Sequence, residues 1–252
     1  MTWEFDAQKE VKHIVNWIKN YFVKNGPDCK AVIGISGGKD SSVAAALLVE
    51  ALGKDKVIGV KMPQGDQKDI DDANALIKHL GIESFEINIG ATCDAAYTAL
   101  KAAGTSIDNP VVYTNLPARI RMTTLYAVAA GNHGRVCNTC NRSEDYIGYS
   151  TKYGDSAGDF SPLAEYCVRE VMLLGDALGL PYDLVHKTPA DGLCGQSDEA
   201  NLGFTYETLD RFILEDEVPE YEVYKKIQQL HSRNKHKLQL MPTCHKKSDF
   251  CF

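Results

Sequence analysis

Between Lys30 and Ser42 the chain reads KAVIGISGGKDSS, and few backbone paths accept such a run. Ala31 to Ile35 is short, apolar and β-branched, which reads as a buried strand. Ser36-Gly37-Gly38-Lys39-Asp40-Ser41 interrupts it, and SVAAALLVEAL beyond is a helix former by its Ala and Leu content. A strand, a glycine turn and a helix N-terminus in succession enclose a nest of backbone N–H groups, and the helix dipole adds positive potential there. Two adjacent glycines admit a ligand where Cβ atoms would block it. Ser36, Ser41 and Ser42 add hydroxyls, and Lys39 adds a charge. The segment from Gly34 and Ile35 through Ser36, Gly37, Gly38, Lys39, Asp40 and Ser41 therefore reads as a phosphate cradle.

The common P-loop, G-x-x-x-x-G-K-[ST], fails here because Asp40 follows Lys39 and Ile33 stands five before Gly38. The dinucleotide fingerprint fails on the spacing of Gly34, Gly37 and Gly38. The segment instead resembles S-G-G-x-D-S, the PP-loop of ATP pyrophosphatases, which cleave ATP between its α- and β-phosphates. An acidic residue inside a phosphate loop repels its ligand unless a divalent cation lies between, so Asp40 reads as a magnesium ligand.

The remaining pattern predicts where the loop sits. Trp3–Lys24 reads as an amphipathic helix, Lys56–Met62 and Glu83–Ile89 as strands, and Asp69–Leu80 and Thr92–Ala103 as helices. Such alternation predicts an α/β fold, a Rossmann-like parallel sheet with helices on both faces, spanning 1–252 as one domain. Ligands of such sheets bind beyond the carboxyl ends of the strands. Lys61 and Gln67, past the second strand, are candidates to line a nucleotide. Asn115–Gly131 reads as a long helix with Arg119 and Arg121 near its start, where cations oppose the dipole and call for an anionic ligand. Arg135–Thr139 reads as a fourth strand, which places Thr139 and Glu144 on the cradle side, Glu144 as a helix cap or a second magnesium ligand. Tyr149–Pro162, dense in Gly, Ser and Asp, reads as a mobile binding loop holding Lys152, Asp155 and Asp159. Thr188–Asn201 reads as a lid. Helices follow at Val168–Leu178, Phe204–Leu214 and Tyr221–Arg233.

A net charge of −7 argues against broad nucleic-acid binding. No apolar run reaches membrane-spanning length and no signal peptide is evident, so a cytoplasmic protein is expected, with no membrane partner. The eight cysteines are scattered, as reduced thiols are. Cys137-Asn138-Thr139-Cys140 is a lone C-x-x-C without the second pair that a zinc site requires.

Three further stretches narrow the reading: NLPARIRM, SEDYIGYSTKYGDSAGD and QSDEANLGFTYETLD. Together with the PP-loop, from about Lys30 to Leu214, they resemble the ammonia-dependent NAD synthetases. That resemblance implies a carbon–nitrogen ligase in which the nicotinate carboxylate of deamido-NAD attacks the α-phosphate of ATP, and ammonia then displaces AMP. It implies magnesium held by Asp40 and Glu144, pyrophosphate held by the cradle, and Thr139 against ATP. Arg119, Lys152, Asp159, His236 and Lys237 would bind deamido-NAD. Ammonium must lose a proton before it attacks, and Asp155 is the candidate group, beside Lys39 and Asp40 as catalytic residues.

Two positions depart from the family pattern. Val168 stands where many members place a lysine that touches ATP, and Ala190 lacks a hydroxyl; Arg169 and Thr188 are the neighbours that would supply these contacts. No amidohydrolase segment precedes the synthetase pattern, so free ammonia or a separate glutaminase is the expected nitrogen source. The resemblance also implies a homodimer, for which Leu125, Tyr126, Val128 and Ala129 offer apolar surface that would equally serve a core. The alternative is another PP-loop AMP-forming ligase, tRNA-modifying or GMP-synthetase-like.

Overall fold

The computed structural model of the chain describes residues 3–65, 70–186 and 198–244. Among these, β1 (Lys30–Gly34), β2 (Val57–Lys61), β3 (Glu83–Glu86) and β4 (Gly134–Cys137) form one sheet in the order β3-β2-β1-β4. All pairings are parallel, with Ile33 of β1 opposite Gly59 on one side and Cys137 on the other. The chain moves one way from β1 to β2 and β3, then returns past β1 to add β4. The order therefore reverses between β1 and β4, and such a reversal opens a crevice at the strands' carboxyl ends. β3 is one of the two edge strands, and its four residues, two of them Glu, are exposed.

Helices cover both faces, as alternation along β1 requires. Ala31 and Ile33 pack against α1 (Ala7–Asn25), α2 (Lys39–Leu52), α7 (Val168–Ala177) and α8 (Tyr182–His186). Val32 faces the other way, with Ile58, Val60 and Val136, onto α4 (Gly90–Ala102) and α5 (Pro110–Gly131). α3 (Ile70–Leu80) flanks β2. α2 lies between sheet and outer helices, so Ser41–Leu48 are all buried, which explains a helix apolar on every side. A third cluster joins α6 (Arg142–Ile147), α9 (Asp198–Leu202), α10 (Tyr206–Glu215) and α11 (Tyr221–Asn234) through Ile147, Leu202, Leu209 and Ile227. No helix among the described residues is long and apolar enough to cross a membrane.

Two expectations change. α5 begins at Pro110, capped by the Asn109 side chain, which accepts the Val111 N–H at 3.0 Å. Proline suits a first helical position because its missing N–H has no partner there. Arg119 and Arg121 thus lie well inside the helix, beyond the reach of its terminal dipole, and the argument for an anion from their placement falls. Leu125, Tyr126, Val128 and Ala129 pack on the sheet; the large apolar residues exposed on α5 are Val111 and Tyr113.

Candidate active site

The cradle forms where β1 stops and α2 begins. Gly37 takes φ 85°, a left-handed value that disfavours any other residue. Gly38 is the N-cap of α2 with no side chain of its own to cap it. Hydroxyls close the loop on itself: Ser36 Oγ accepts the Gly38 N–H at 3.2 Å and lies 3.1 Å from Ser41 Oγ. Ser41 and Ser42 both donate to the Gly38 carbonyl, at 3.0 and 2.9 Å. The first-turn N–H groups of α2, which have no acceptor within the helix, converge on this hollow. Lys39 is buried beneath it, 2.9 Å from Asp40 Oδ2 and 5.8 Å from the centre of the Tyr206 ring.

Across the crevice, β4 ends at Cys137 and Thr139 follows on the cradle side. Asn141 then starts α6 as a capping box. Its side chain accepts the Glu144 N–H at 3.0 Å, and the Glu144 carboxylate reaches back to the Asn141 N–H. The Asn141 amide donates to Asp40 Oδ1 at 3.0 Å. The Asp40 carboxylate and the Glu144 backbone N–H therefore meet one common side chain. Among the described residues no three His, Cys, Asp or Glu groups converge as a metal cage. Two carboxylates suit magnesium, a hard ion that rarely uses an all-protein cage and commonly completes its shell with phosphate oxygens and water. Glu144 is both cap and candidate ligand, two roles that the sequence leaves as alternatives.

The segment from Tyr149 to Pro162 is tied down rather than free. Asp155 Oδ1 accepts the Thr151 N–H at 2.8 Å, and its carbonyl accepts from Asn138 Nδ2 at 2.8 Å and Cys140 Sγ at 3.4 Å. Gly158 lies so near Asn138 that a Cβ would meet its backbone nitrogen at 2.9 Å. Asp155 is thereby fixed to the end of β4. Burial raises its pKa, opposed by hydrogen bonds from Thr151 and by the Lys237 charge. Asp145 beside it is raised to about 6 by burial and by Asp155.

Four of the expected substrate ligands gather around this segment. Arg119 Nε donates to the Lys152 carbonyl at 3.3 Å, and Lys152 Nζ to the His236 carbonyl at 2.7 Å. Lys237 Nζ donates to the carbonyls of Gly148 and Ser150, at 2.7 and 2.9 Å. Asp159 turns inward instead: its carboxylate accepts the Val136 N–H at 2.7 Å and the Tyr126 hydroxyl at 3.3 Å.

Other candidates are engaged elsewhere. Lys61 Nζ is held by Glu86 at 2.7 Å and by Asn74 at 2.5 Å. Arg169 pairs with Glu215 at 2.7 Å and lies over the Trp3 ring, 3.5 Å from its centre. The Ile35 N–H serves the sheet, donating to the Val60 carbonyl at 2.9 Å. Gln67 and Thr188 lie outside the described residues, as does most of the expected lid. Cys137 and Cys140 are buried, and burial pushes both thiols far above their ordinary pKa. Asn141 and Asn138 escaped the sequence reading. The spacing N-x-x-E marks Asn141 as a helix cap, but nothing local marks its reach to Asp40.

Compared with known proteins, residues 10–242 match the NAD synthase family. The NH(3)-dependent NAD(+) synthetase of Pyrococcus furiosus is 40% identical over 193 residues, covering 76% of this chain and 74% of that protein. The enzyme of the same name from Methanosarcina acetivorans is 37% identical, covering 94% of this chain and 98% of its own. Among solved structures, the NMN synthetase of Francisella tularensis superposes with a TM-score of 0.89 at 33% identity, covering 96% of this chain and 100% of the other.

Proposed function

The chain belongs to the NAD synthase family, and from that premise we propose that it is an ammonia-dependent, AMP-forming NAD synthetase acting on deamido-NAD and ATP. Family membership sets aside the other PP-loop ligases. One arrangement carries the reading: a phosphate cradle after β1 and Asp155, its backbone fixed to the end of β4, stand at the ends of adjacent strands where the strand order reverses.

The chemistry explains why both are needed. A carboxylate does not acylate ammonia, because hydroxide is a poor leaving group; an adenylate leaves readily. Moving AMP onto the nicotinate carboxylate requires positive groups around the phosphate oxygens. Ser36, Ser41, the N–H groups of the Gly37-Gly38 turn and the Lys39 ammonium supply them for the departing pyrophosphate, with Thr139 facing the nucleotide. Asp40 and Glu144 would hold magnesium, whose charge offsets that of the phosphates. Asp155 receives ammonium and takes its proton, so that neutral ammonia attacks the acyl carbon. Arg119, Lys152, His236 and Lys237 bind deamido-NAD. The protein acts as a homodimer, a reading supported by Val111 and Tyr113 exposed on α5, 54% and 45% accessible.

Incubating the protein with ATP, magnesium, ammonium and deamido-NAD tests this reading. Equal amounts of AMP, pyrophosphate and NAD are expected, and formation of ADP overturns it. The likeness to the NMN synthetase of Francisella tularensis favours a second reading, in which nicotinate mononucleotide is the acid amidated. Comparing kcat/KM for the two acids decides between them.

A further inference from the structure

Asn141 is completely buried, and both ends of its amide are used. Its oxygen accepts the Glu144 N–H at 3.0 Å, and its nitrogen donates to Asp40 Oδ1 at 3.0 Å, across 101 residues of sequence. Asp40 Oδ2 takes the Lys39 ammonium at 2.9 Å. Each carboxylate oxygen has a second lone pair, so these contacts orient Asp40 without exhausting it. From this geometry we propose that Asn141 is a positioning residue that fixes Asp40 against Glu144 across the crevice and thereby sets the affinity of the site for a divalent cation. The proposal rests on the magnesium reading above.

Capping alone does not require this amide. Ser, Thr or Asp caps a helix N-terminus about as well, since only an acceptor is needed. An aspartate here would set a second carboxylate against Asp40, and a serine would not reach it. Asparagine both caps α6 and donates to Asp40. α6 is also braced from behind, because Ser143 donates to Asp210 at 2.5 Å, so the Glu144 end of the pair is anchored independently of Asp40.

Asn141→Ser keeps the cap and removes the contact to Asp40. Manganese binding, followed by electron paramagnetic resonance with α,β-methylene-ATP present, should weaken about tenfold or more in this variant. The half-saturating magnesium concentration for AMP formation should rise by a larger factor than the maximal rate falls. Manganese affinity equal to wild type overturns the proposal. Asn141→Asp, which also keeps the cap, gives a separate measurement. Its melting temperature without divalent ions should fall below wild type, and magnesium should raise it by more than it raises wild type; an equal response to magnesium again overturns the proposal. Failure of the functional reading is distinct. It would show as a wild-type protein that makes no AMP, and the manganese titration still decides the role of Asn141.

Discussion

Asp210 accepts the hydroxyl of Ser143 at 2.5 Å inside the protein, one residue before Glu144. The other Asp210 oxygen accepts the Arg169 N–H at 2.8 Å, and Ser143 Oγ accepts the Val168 N–H at 3.0 Å. These two N–H groups open α7 and have no acceptor within that helix. One carboxylate on α10 thus completes the start of α7 and holds α6 in place. Burial raises its pKa while the Ser143 and Arg169 bonds oppose the rise.

Replacing Asp210 by Leu leaves a buried hydroxyl and a buried N–H without their acceptor. A loss of about 3 kcal/mol is expected from such orphaned groups. Asp210→Asn keeps one acceptor and should lose about half as much. Urea unfolding measures both; losses below about 1 kcal/mol would mean that water replaces the carboxylate.

Asp40→Ala removes one of the two proposed magnesium ligands, a partly buried carboxylate in the first turn of α2, and leaves the apolar residues of that helix untouched. Magnesium-dependent AMP formation should fall about 100-fold or more. The melting temperature should fall by a few degrees, because the buried Asn141 amide and Lys39 ammonium each lose an acceptor, while the fold is kept. Retained turnover would take Asp40 out of the metal shell.

The difference between what was legible and what was not lies in sequence distance. The cradle could be read because its glycines, hydroxyls and helix start are contiguous. The parallel sheet followed from alternation of apolar runs, which is also local. Asp159 reads as a substrate ligand by family resemblance, yet its oxygens here meet Val136 and Tyr126, 23 and 33 residues away. Lys61 likewise stands at a strand's carboxyl end as expected, but its charge is met by Glu86 from the adjacent strand. The start of α5 was hidden because VVYT ahead of Pro117 resembles a strand more than a helix. The Asn109-Pro110 pair was the available signal, a cap followed by a proline at the first helical position.

Asp145 gives a pH dependence with a definite sign. Its Oδ1 is buried without a hydrogen-bond partner, and its pKa is raised from 3.8 to about 6. The folded protein therefore holds a proton that the unfolded chain releases between these values. This contribution favours folding below about pH 4 and is lost as pH rises through about 6. Asp145→Asn should stabilise the protein by on the order of 1 kcal/mol near pH 8, since part of the group is still reached by water. Below about pH 4 the variant should gain nothing. Unfolding curves in magnesium-free buffer across this range measure the difference, and a constant gain at every pH would contradict the assignment.

Asp155→Asn separates the two half-reactions. The substituted amide still offers an oxygen to the Thr151 N–H, which Asp155 accepts at 2.8 Å, so the segment that carries it should keep its shape. The anchoring bonds from Asn138 and Cys140 go to the backbone carbonyl and are untouched. What disappears is the negative charge proposed to receive ammonium and to take its proton. Adenylate and pyrophosphate should form at close to the wild-type rate, because neither depends on that proton transfer. Amide formation should slow by about 100-fold or more, the range expected for loss of a general base. Rapid-quench measurement of pyrophosphate, with and without ammonium, distinguishes the steps. In the variant, pyrophosphate should appear as a burst followed by slow NAD production, and raising the pH should recover part of the rate as free ammonia becomes abundant. Equal slowing of both steps would move Asp155 from the ammonium site to the binding of deamido-NAD, where Lys237 already approaches it.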